Sequence, residues 1–241
     1  MVEASPSDPK LVLLPGMDGT GWLLENFAAA LPASMRPQIV RYPPTGCTSY
    51  AEVDTFLRSA GIDDEPFVLL AESYSSVAAI AWAAANPPNL KGLVLCVGFA
   101  TPPVRKLLRP ISSLLTHVLF ALPRPTFVAK HWTAGHDAPK ELLLKLKRIR
   151  NAIPADTFAK RIRAVLTCDV RRELAQVRVP ILFLHAKDDQ LIDMDRLDEM
   201  RALQPQAEVE IFPGSHLLLE RHPQEAAARV ARFVRERIEM G

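Results

Sequence analysis

The sequence predicts an α/β protein with three α/β/α layers. Its sheet is mostly parallel, with about six strands, and carries a helical insertion. Three observations lead there. Short apolar runs rich in Val, Ile and Leu alternate with amphipathic stretches, the pattern of a parallel sheet covered by helices on both faces. Turn-forming residues bound each run. The spacing is regular except once, where about eighty residues separate the fourth run from the fifth, far more than one crossover helix needs.

The runs, in order, are Lys10–Leu14, Gln38–Tyr42, Phe67–Ala71, Leu93–Val97, Ile181–His185 and Glu208–Phe212. Each has the length of a buried strand. Glu208–Phe212 (EVEIF) alternates polar with apolar and is expected at an edge. Helical patterns fall between them at Trp22–Leu31, Tyr50–Ala60, Ser76–Ala85, Arg196–Leu203 and Pro223–Glu239. In the last of these, Pro223 suits a first turn, and Ala227, Val230, Phe233, Val234 and Ile238 recur at helical spacing. The long gap reads as helical at Val104–Leu122, Pro139–Ile149 and Ala155–Leu166, punctuated by Pro123, Pro125 and Pro154. The expected organisation is a core of residues 1–100 and 167–241 with residues 101–166 inserted.

Composition narrows the class. Of 241 residues, 49% are hydrophobic and 23% charged, which excludes a disordered or fibrous chain. A net charge of +2 does not mark a nucleic-acid binder. That near-neutral total conceals a basic segment: residues 101–166 hold 13 Lys and Arg against 3 Asp and Glu. The three cysteines, Cys47, Cys96 and Cys168, show no CxxC spacing and cannot all pair, which argues against a disulfide framework or zinc ribbon. The opening MVEASPSDPK lacks the basic and apolar regions of a signal peptide, and no apolar run reaches the ~18 residues of a membrane span. A cytoplasmic protein without a transmembrane segment is expected.

Four loops carry chemistry. Ala71-Glu72-Ser73-Tyr74-Ser75 lies where a buried strand gives way to a helix. A nucleophile on such a sharp turn has its oxygen exposed beside a helix N-terminus, provided small residues stand two before and two after it. Ala71 and Ser75 meet that need for Ser73, in place of the usual glycines. Ser75 and Ser76 are rivals, and the plain alternative is that these serines cap a helix. The second loop, Pro15-Gly16-Met17-Asp18-Gly19-Thr20-Gly21, follows the first strand. Its glycines let backbone N–H groups approach a ligand, which makes Met17 and Tyr74 candidate backbone donors to an oxyanion. A dinucleotide loop is the competing reading, kept open by Arg41 at the end of the second strand, but the order is GxxGxG and not GxGxxG.

The third loop, His185-Ala186-Lys187-Asp188-Asp189, follows the fifth strand and offers a carboxylate to orient a histidine. Asp189 is the choice, with Asp188 and Asp193 read as surface charges. The fourth, Pro213-Gly214-Ser215-His216, follows the last strand and offers His216 as general base. His117, His131 and His136 fall in the insertion, His185 in a strand and His222 at a helix start, where structural or surface roles suffice. All four loops follow strand ends, so a parallel sheet gathers them at one edge.

With its order of Ser73, then Asp189, then His216, the chain resembles the α/β-hydrolase superfamily, from Lys10 to Ile238. The matching segments are PGMDGTG, AESYS, HAKDD and PGSH. The elbow departs from the family pattern in lacking both glycines. The resemblance implies that Ser73, Asp189 and His216 form a catalytic triad, that Met17 and Tyr74 supply the oxyanion hole, and that residues 101–166 form a helical lid. It also implies a short sheet beginning at the family's third strand. In size and lid the chain is similar to those family members that cleave carrier-linked methyl esters.

The expected function is therefore a serine hydrolase that cleaves carboxylic esters through an acyl-enzyme on Ser73, with no metal or organic cofactor. A thioesterase or acyltransferase working on coenzyme A or carrier-protein thioesters is the main alternative. A non-catalytic binding protein and a nicotinamide-dependent reductase stand further off. Trp22, Phe99, Leu115, Leu119 and Trp132 are candidate walls of a substrate pocket, with core packing as the plain alternative for each. The basic insertion suggests an anionic partner such as an acidic carrier protein, coenzyme A phosphates or an anionic membrane surface, against the simpler reading of solvated helix faces.

Overall fold

The structure is a computed structural model that describes residues 9–103, 134–135 and 137–239. Six strands form one sheet: β1 (Lys10–Leu14), β2 (Gln38–Ile39), β3 (Phe67–Glu72), β4 (Leu90–Cys96), β5 (Ile181–Ala186) and β6 (Glu208–Phe212). Their spatial order is β2-β1-β3-β4-β5-β6, and every neighbouring pair is parallel. All strands therefore end at the same edge. β6 is an edge strand, as its alternation predicts, and Ile211 is exposed there.

The two-residue period of the strands sorts their side chains into two cores. Val12, Leu14, Leu69, Ala71, Leu93, Leu95 and Phe183 face one way. There they meet α2 (Tyr50–Ser59), α3 (Ser75–Ala84), α6 (Arg171–Gln176) and α7 (Met194–Leu203). Leu11, Leu13, Val68, Leu70, Val94, Leu182 and Leu184 face the other way, onto α1 (Glu25–Ala30) and α9 (Pro223–Val234). A one-residue register slip would invert this sorting, so the pattern fixes the register.

Three elements differ from expectation. The second strand spans only Gln38–Ile39: the Val40 N–H makes a last bond to β1, donating to Leu13 O at 2.9 Å, and the Tyr42 N–H then donates to Gly19 O at 2.8 Å. The predicted helix Trp22–Leu31 begins as a 3₁₀ turn, Trp22–Leu24, and ends at Ala30, since Leu31 precedes Pro32 and is extended. The last helix becomes a π turn at Arg235–Glu239. Two short helices, α6 and α8 (Leu218–Arg221), were not expected from the sequence.

Between β4 and β5 lie α4 (Lys140–Ala152) and α5 (Ala155–Thr167), which begin and end close to the predicted bounds. Ile153, ahead of Pro154, is extended and separates them. The predicted helix Val104–Leu122 lies outside the described residues. α4 packs Leu142 and Ile149 against Leu23 and Leu217, forming a third apolar cluster beside the strand-end loops. α5 buries Thr157, Arg161 and Val165, which recur every four residues along one face.

Candidate active site

The site begins where β3 stops. Ser73 takes a left-handed backbone conformation, φ 49°, unusual for a residue with a Cβ. The turn is held on both sides. The Ser73 N–H donates to Cys96 O at 2.9 Å, and the Ser76 N–H donates to Ser73 O at 2.9 Å. The next strand's loop also presses close: a Cβ on Gly98 would lie 3.0 Å from Ser76 Cβ. The turn thus forms with Ala71 and Ser75 in place of the usual glycines. The rival serines are otherwise engaged. Ser75 Oγ donates to Pro15 O and meets the Tyr42 hydroxyl at 2.6 Å. Ser76 Oγ donates to Ser73 O at 2.6 Å and accepts from the Phe99 N–H at 3.2 Å.

His216 reaches Ser73 from the loop after β6, with Nε2 2.9 Å from Ser73 Oγ. Its other nitrogen, Nδ1, lies 2.7 Å from Asp189 Oδ2. Asp189 Oδ1 accepts from the Leu191 and Ile192 amides at 2.8 and 3.0 Å. One carboxylate oxygen is therefore anchored by the backbone and the other is left for the imidazole. All three side chains are buried. Burial works against charge on both partners, but their mutual attraction and hydrogen bond prevail: the Asp189 pKa is lowered and the His216 pKa raised, with Glu72 adding to the latter.

Asp188 is exposed, as expected of a surface charge, and it also ties the two loops together. Its N–H donates to Gly214 O at 3.0 Å, and its Oδ2 accepts from the Gly214 N–H at 3.2 Å. Gly214, at φ 98°, takes a conformation that glycine alone adopts readily. Nothing in the local sequence marks Asp188 as a staple, because its partner lies on another strand's loop.

Of the expected oxyanion donors, Tyr74 is buried and stands at the N-terminal end of α3, and Met17 is half-buried in the loop after β1. Among the described residues neither backbone N–H donates to a protein acceptor. Two carboxyls flank that loop. Glu72 is buried, its Oε2 has no hydrogen-bond partner among the described residues, and burial pushes its pKa up to about 7, with Asp18 adding and His216 opposing. Burial also raises the Asp18 pKa, against hydrogen bonds from Thr20 and the charge of Arg161.

The pocket residues separate. Trp22 is half-buried under α4, with the Arg148 guanidinium 4.6 Å from its ring. Phe99 is buried within the core on the α3 side of the sheet. Leu115, Leu119 and Trp132 lie outside the described residues. Cavities of about 530 and 400 Å³ lie elsewhere, one lined by Val177, Gln204 and Phe233, the other by Pro43, Cys47 and Phe56. Neither is lined by Ser73, Asp189 or His216. Among the described residues no three His, Cys, Asp or Glu side chains group as a metal site, and no helix is long and apolar enough to cross a membrane.

A serine on a strand–turn–helix elbow, with an imidazole and a carboxylate converging on it at the carboxyl edge of a parallel sheet, is the arrangement of a hydrolase fold. The chain belongs to the alpha/beta hydrolase family, whose sequence model matches residues 11–230. No curated protein matches it in sequence. Solved structures share its fold at low identity. An esterase from Exiguobacterium antarcticum superposes with a TM-score of 0.81 at 15% identity, covering 96% of this chain and 94% of that one. MenH from S. aureus gives 0.78 at 15%, covering 98% and 97%. The enol-lactonase from Burkholderia xenovorans LB400 gives 0.75 at 17%, covering 97% and 95%.

Proposed function

We propose that this protein is a serine-dependent hydrolase of carboxylic esters. The observation that carries the reading is His216 bridging Ser73 and Asp189 at 2.9 and 2.7 Å. An ionised carboxylate accepts only, so Asp189 keeps the proton of the neutral imidazole on Nδ1 and leaves Nε2 to accept from Ser73. As Ser73 Oγ attacks the ester carbonyl carbon, its proton passes to Nε2. The carbonyl oxygen becomes an oxyanion, bound by the Met17 and Tyr74 amides. The tetrahedral intermediate collapses, the alkoxide leaves with the proton from His216, and the acyl group stays on Ser73. Water, deprotonated by His216, then repeats the attack and releases the carboxylic acid. The esterase and enol-lactonase among the structural neighbours are consistent with this chemistry.

The test is labelling with a fluorophosphonate, followed by turnover of p-nitrophenyl esters of graded chain length. Ser73→Ala is expected to lose both labelling and turnover while remaining folded. A Ser73→Ala protein that turns over esters at the wild-type rate removes this mechanism.

The basic insertion supports an acidic carrier protein as the bearer of the acyl group. Part of its charge is used internally: Lys145 pairs with Glu220 at 2.9 Å, Arg148 covers Trp22, and Lys160 pairs with Asp156. Lys140, Lys147 and Arg150 remain exposed on α4. Charge recognition predicts a steep fall of kcat/KM with salt for carrier-linked substrates and little change for small neutral esters. Equal salt responses remove the carrier.

A further inference from the structure

Arg161 is among the most deeply buried large side chains, at 1% exposure, and it comes from α5, in the segment between β4 and β5. Its guanidinium is taken up by carbonyls from two loops. Nη1 donates to Met17 O at 2.9 Å. Nη2 donates to Gly46 O at 2.9 Å and to Pro43 O at 3.5 Å, and Nε donates to Cys47 O at 3.1 Å. No carboxylate among the described residues bonds to it. The faces of Tyr42 and Tyr74 lie 5.7 and 6.0 Å from its central carbon. Removing a cation from water costs several kcal/mol, a cost that the carbonyl dipoles, the ring faces and attraction to the nearby Asp18 carboxyl offset.

Both expected oxyanion donors belong to residues held by this group. Met17 gives its carbonyl directly. Tyr74 stands beneath the guanidinium, and its hydroxyl donates at 3.0 Å to Cys47 O, the carbonyl that also takes Arg161 Nε. We propose that Arg161 is a positioning residue that fixes the two sides of the oxyanion hole relative to each other, gripping the loop after β1 directly and the start of α3 through Cys47 and Tyr74. The inference rests on the ester-hydrolase reading of Ser73 and His216.

The physical need is clear from the loop. Residues 15–21 include three glycines, Gly16, Gly19 and Gly21; Ser75 Oγ and the Tyr42 N–H hold Pro15 O and Gly19 O, and Arg161 holds the Met17 carbonyl that lies between them. An oxyanion donor stabilises charge only when it is aimed before the reaction, within about 0.5 Å. Arg161 supplies that constraint from a helix, and the loop is cut to admit it: at Gly19, φ 71°, a Cβ would lie 2.6 Å from Arg161 Nη1. Since the guanidinium is sealed from solvent, substrate does not reach it, and its action is on the loops.

The experiment compares Arg161→Met, Arg161→Lys and a control, Val165→Ala, one turn along the same buried face of α5. Each protein is measured for the fluorophosphonate labelling rate of Ser73, kcat and KM for p-nitrophenyl acetate, Ki of an alkyl trifluoromethyl ketone, and stability to urea. Loss of one aimed donor lowers kcat by roughly 10²–10³-fold. Arg161→Met is expected to show such a fall in kcat and labelling, a matching rise in Ki for the ketone, whose adduct places an oxyanion in the hole, and KM within about threefold. Arg161→Lys, with a point charge in place of a fork, is expected to fall at least tenfold in kcat. Val165→Ala is expected to lose stability and keep kcat.

An Arg161→Met enzyme with wild-type kcat and Ki overturns the proposal. So does a Val165→Ala enzyme that loses as much activity at equal stability. If Arg161→Met does not fold, an unchanged kcat in Arg161→Lys overturns it. A wild type that the fluorophosphonate does not label sinks the hydrolase reading and this inference with it. A labelled wild type whose Arg161 variants label equally fast sinks this inference alone.

Discussion

Replacing Glu72 by Gln tests the electrostatics of the site without touching the reacting atoms. Glu72 ends β3, one residue before Ser73, and is 4% exposed. Burial, with the Asp18 carboxyl adding, carries its pKa from the ordinary 4.5 to about 7, despite opposing help from His216 and the Gly16 N–H. That rise is worth roughly 3 kcal/mol against the ionised form, and the depth of burial leaves little solvent screening to discount. The direction follows from linkage. Below pH 4.5 the carboxyl is neutral in folded and unfolded chains alike. As pH rises from 4.5 to 7 the unfolded chain ionises first, so stability is lost across that window and levels off above it. Glu72→Gln stays neutral throughout. The variant should therefore match the wild type near pH 4 and exceed it by up to roughly 3 kcal/mol at pH 8. Urea denaturation of both proteins at pH 4.5, 6 and 8 measures the difference. Because other titrating groups are shared, the comparison isolates Glu72. The same variant should move the acidic limb of kcat/KM to lower pH, since ionised Glu72 helps to raise the His216 pKa. A stability difference that does not change with pH refutes the assignment.

The backbone at Ser73 makes a second prediction. A left-handed conformation costs about 1 kcal/mol for a residue with a Cβ, so Ser73→Gly should be more thermostable than Ser73→Ala by that amount while both are inactive; equal melting temperatures would contradict it. Asp189→Asn should lower kcat by about 10⁴-fold with the fold intact, because the amide no longer holds the proton on His216 Nδ1. It should also lower the His216 pKa, read from the pH profile or by NMR. Gly19→Ala should lower both stability and kcat, since its Cβ meets Arg161 Nη1 and Tyr42 Cβ at a positive φ; unchanged kinetics would argue that the loop tolerates a shift of the guanidinium.

The parts of the site that the sequence displays are those whose signal is local. Ser73, Asp189 and His216 each sit in a loop directly after a strand that its own apolar run announces. Parallel topology does the rest, carrying the ends of β3, β5 and β6 to one edge. Where local signal fails, the cause is tertiary. Gln38–Tyr42 reads as a five-residue strand, yet its last bond to β1 is the Val40 N–H on Leu13 O, and the Tyr42 N–H goes instead to Gly19 O, a partner that no property of residues 38–42 encodes. Asp188 is the solvated charge that the sequence suggests, and its second role, the tie to Gly214, shows only once the loop after β6 is beside it. Glu72 carries no motif role in the elbow, yet it is buried, with the Gly16 backbone of the loop after β1 beside its carboxyl.

Arg161 is the instructive case, because a faint signal was present. In the Ala155–Thr167 helix it stands four residues before Val165 and three after Phe158, on the edge of the stripe that an amphipathic helix turns inward. A cation there must find acceptors or leave the stripe. Its high count of donors and planar fork suit backbone carbonyls gathered from irregular loops, which have no partners of their own in a sheet or helix. Loops that surround a strand edge expose such carbonyls as a consequence of ending the ladder. An inward-facing arginine on a helix inserted above that edge is thus drawn to the loops that carry the chemistry, and the group that steadies a site can lie far along the chain from every motif that reveals it.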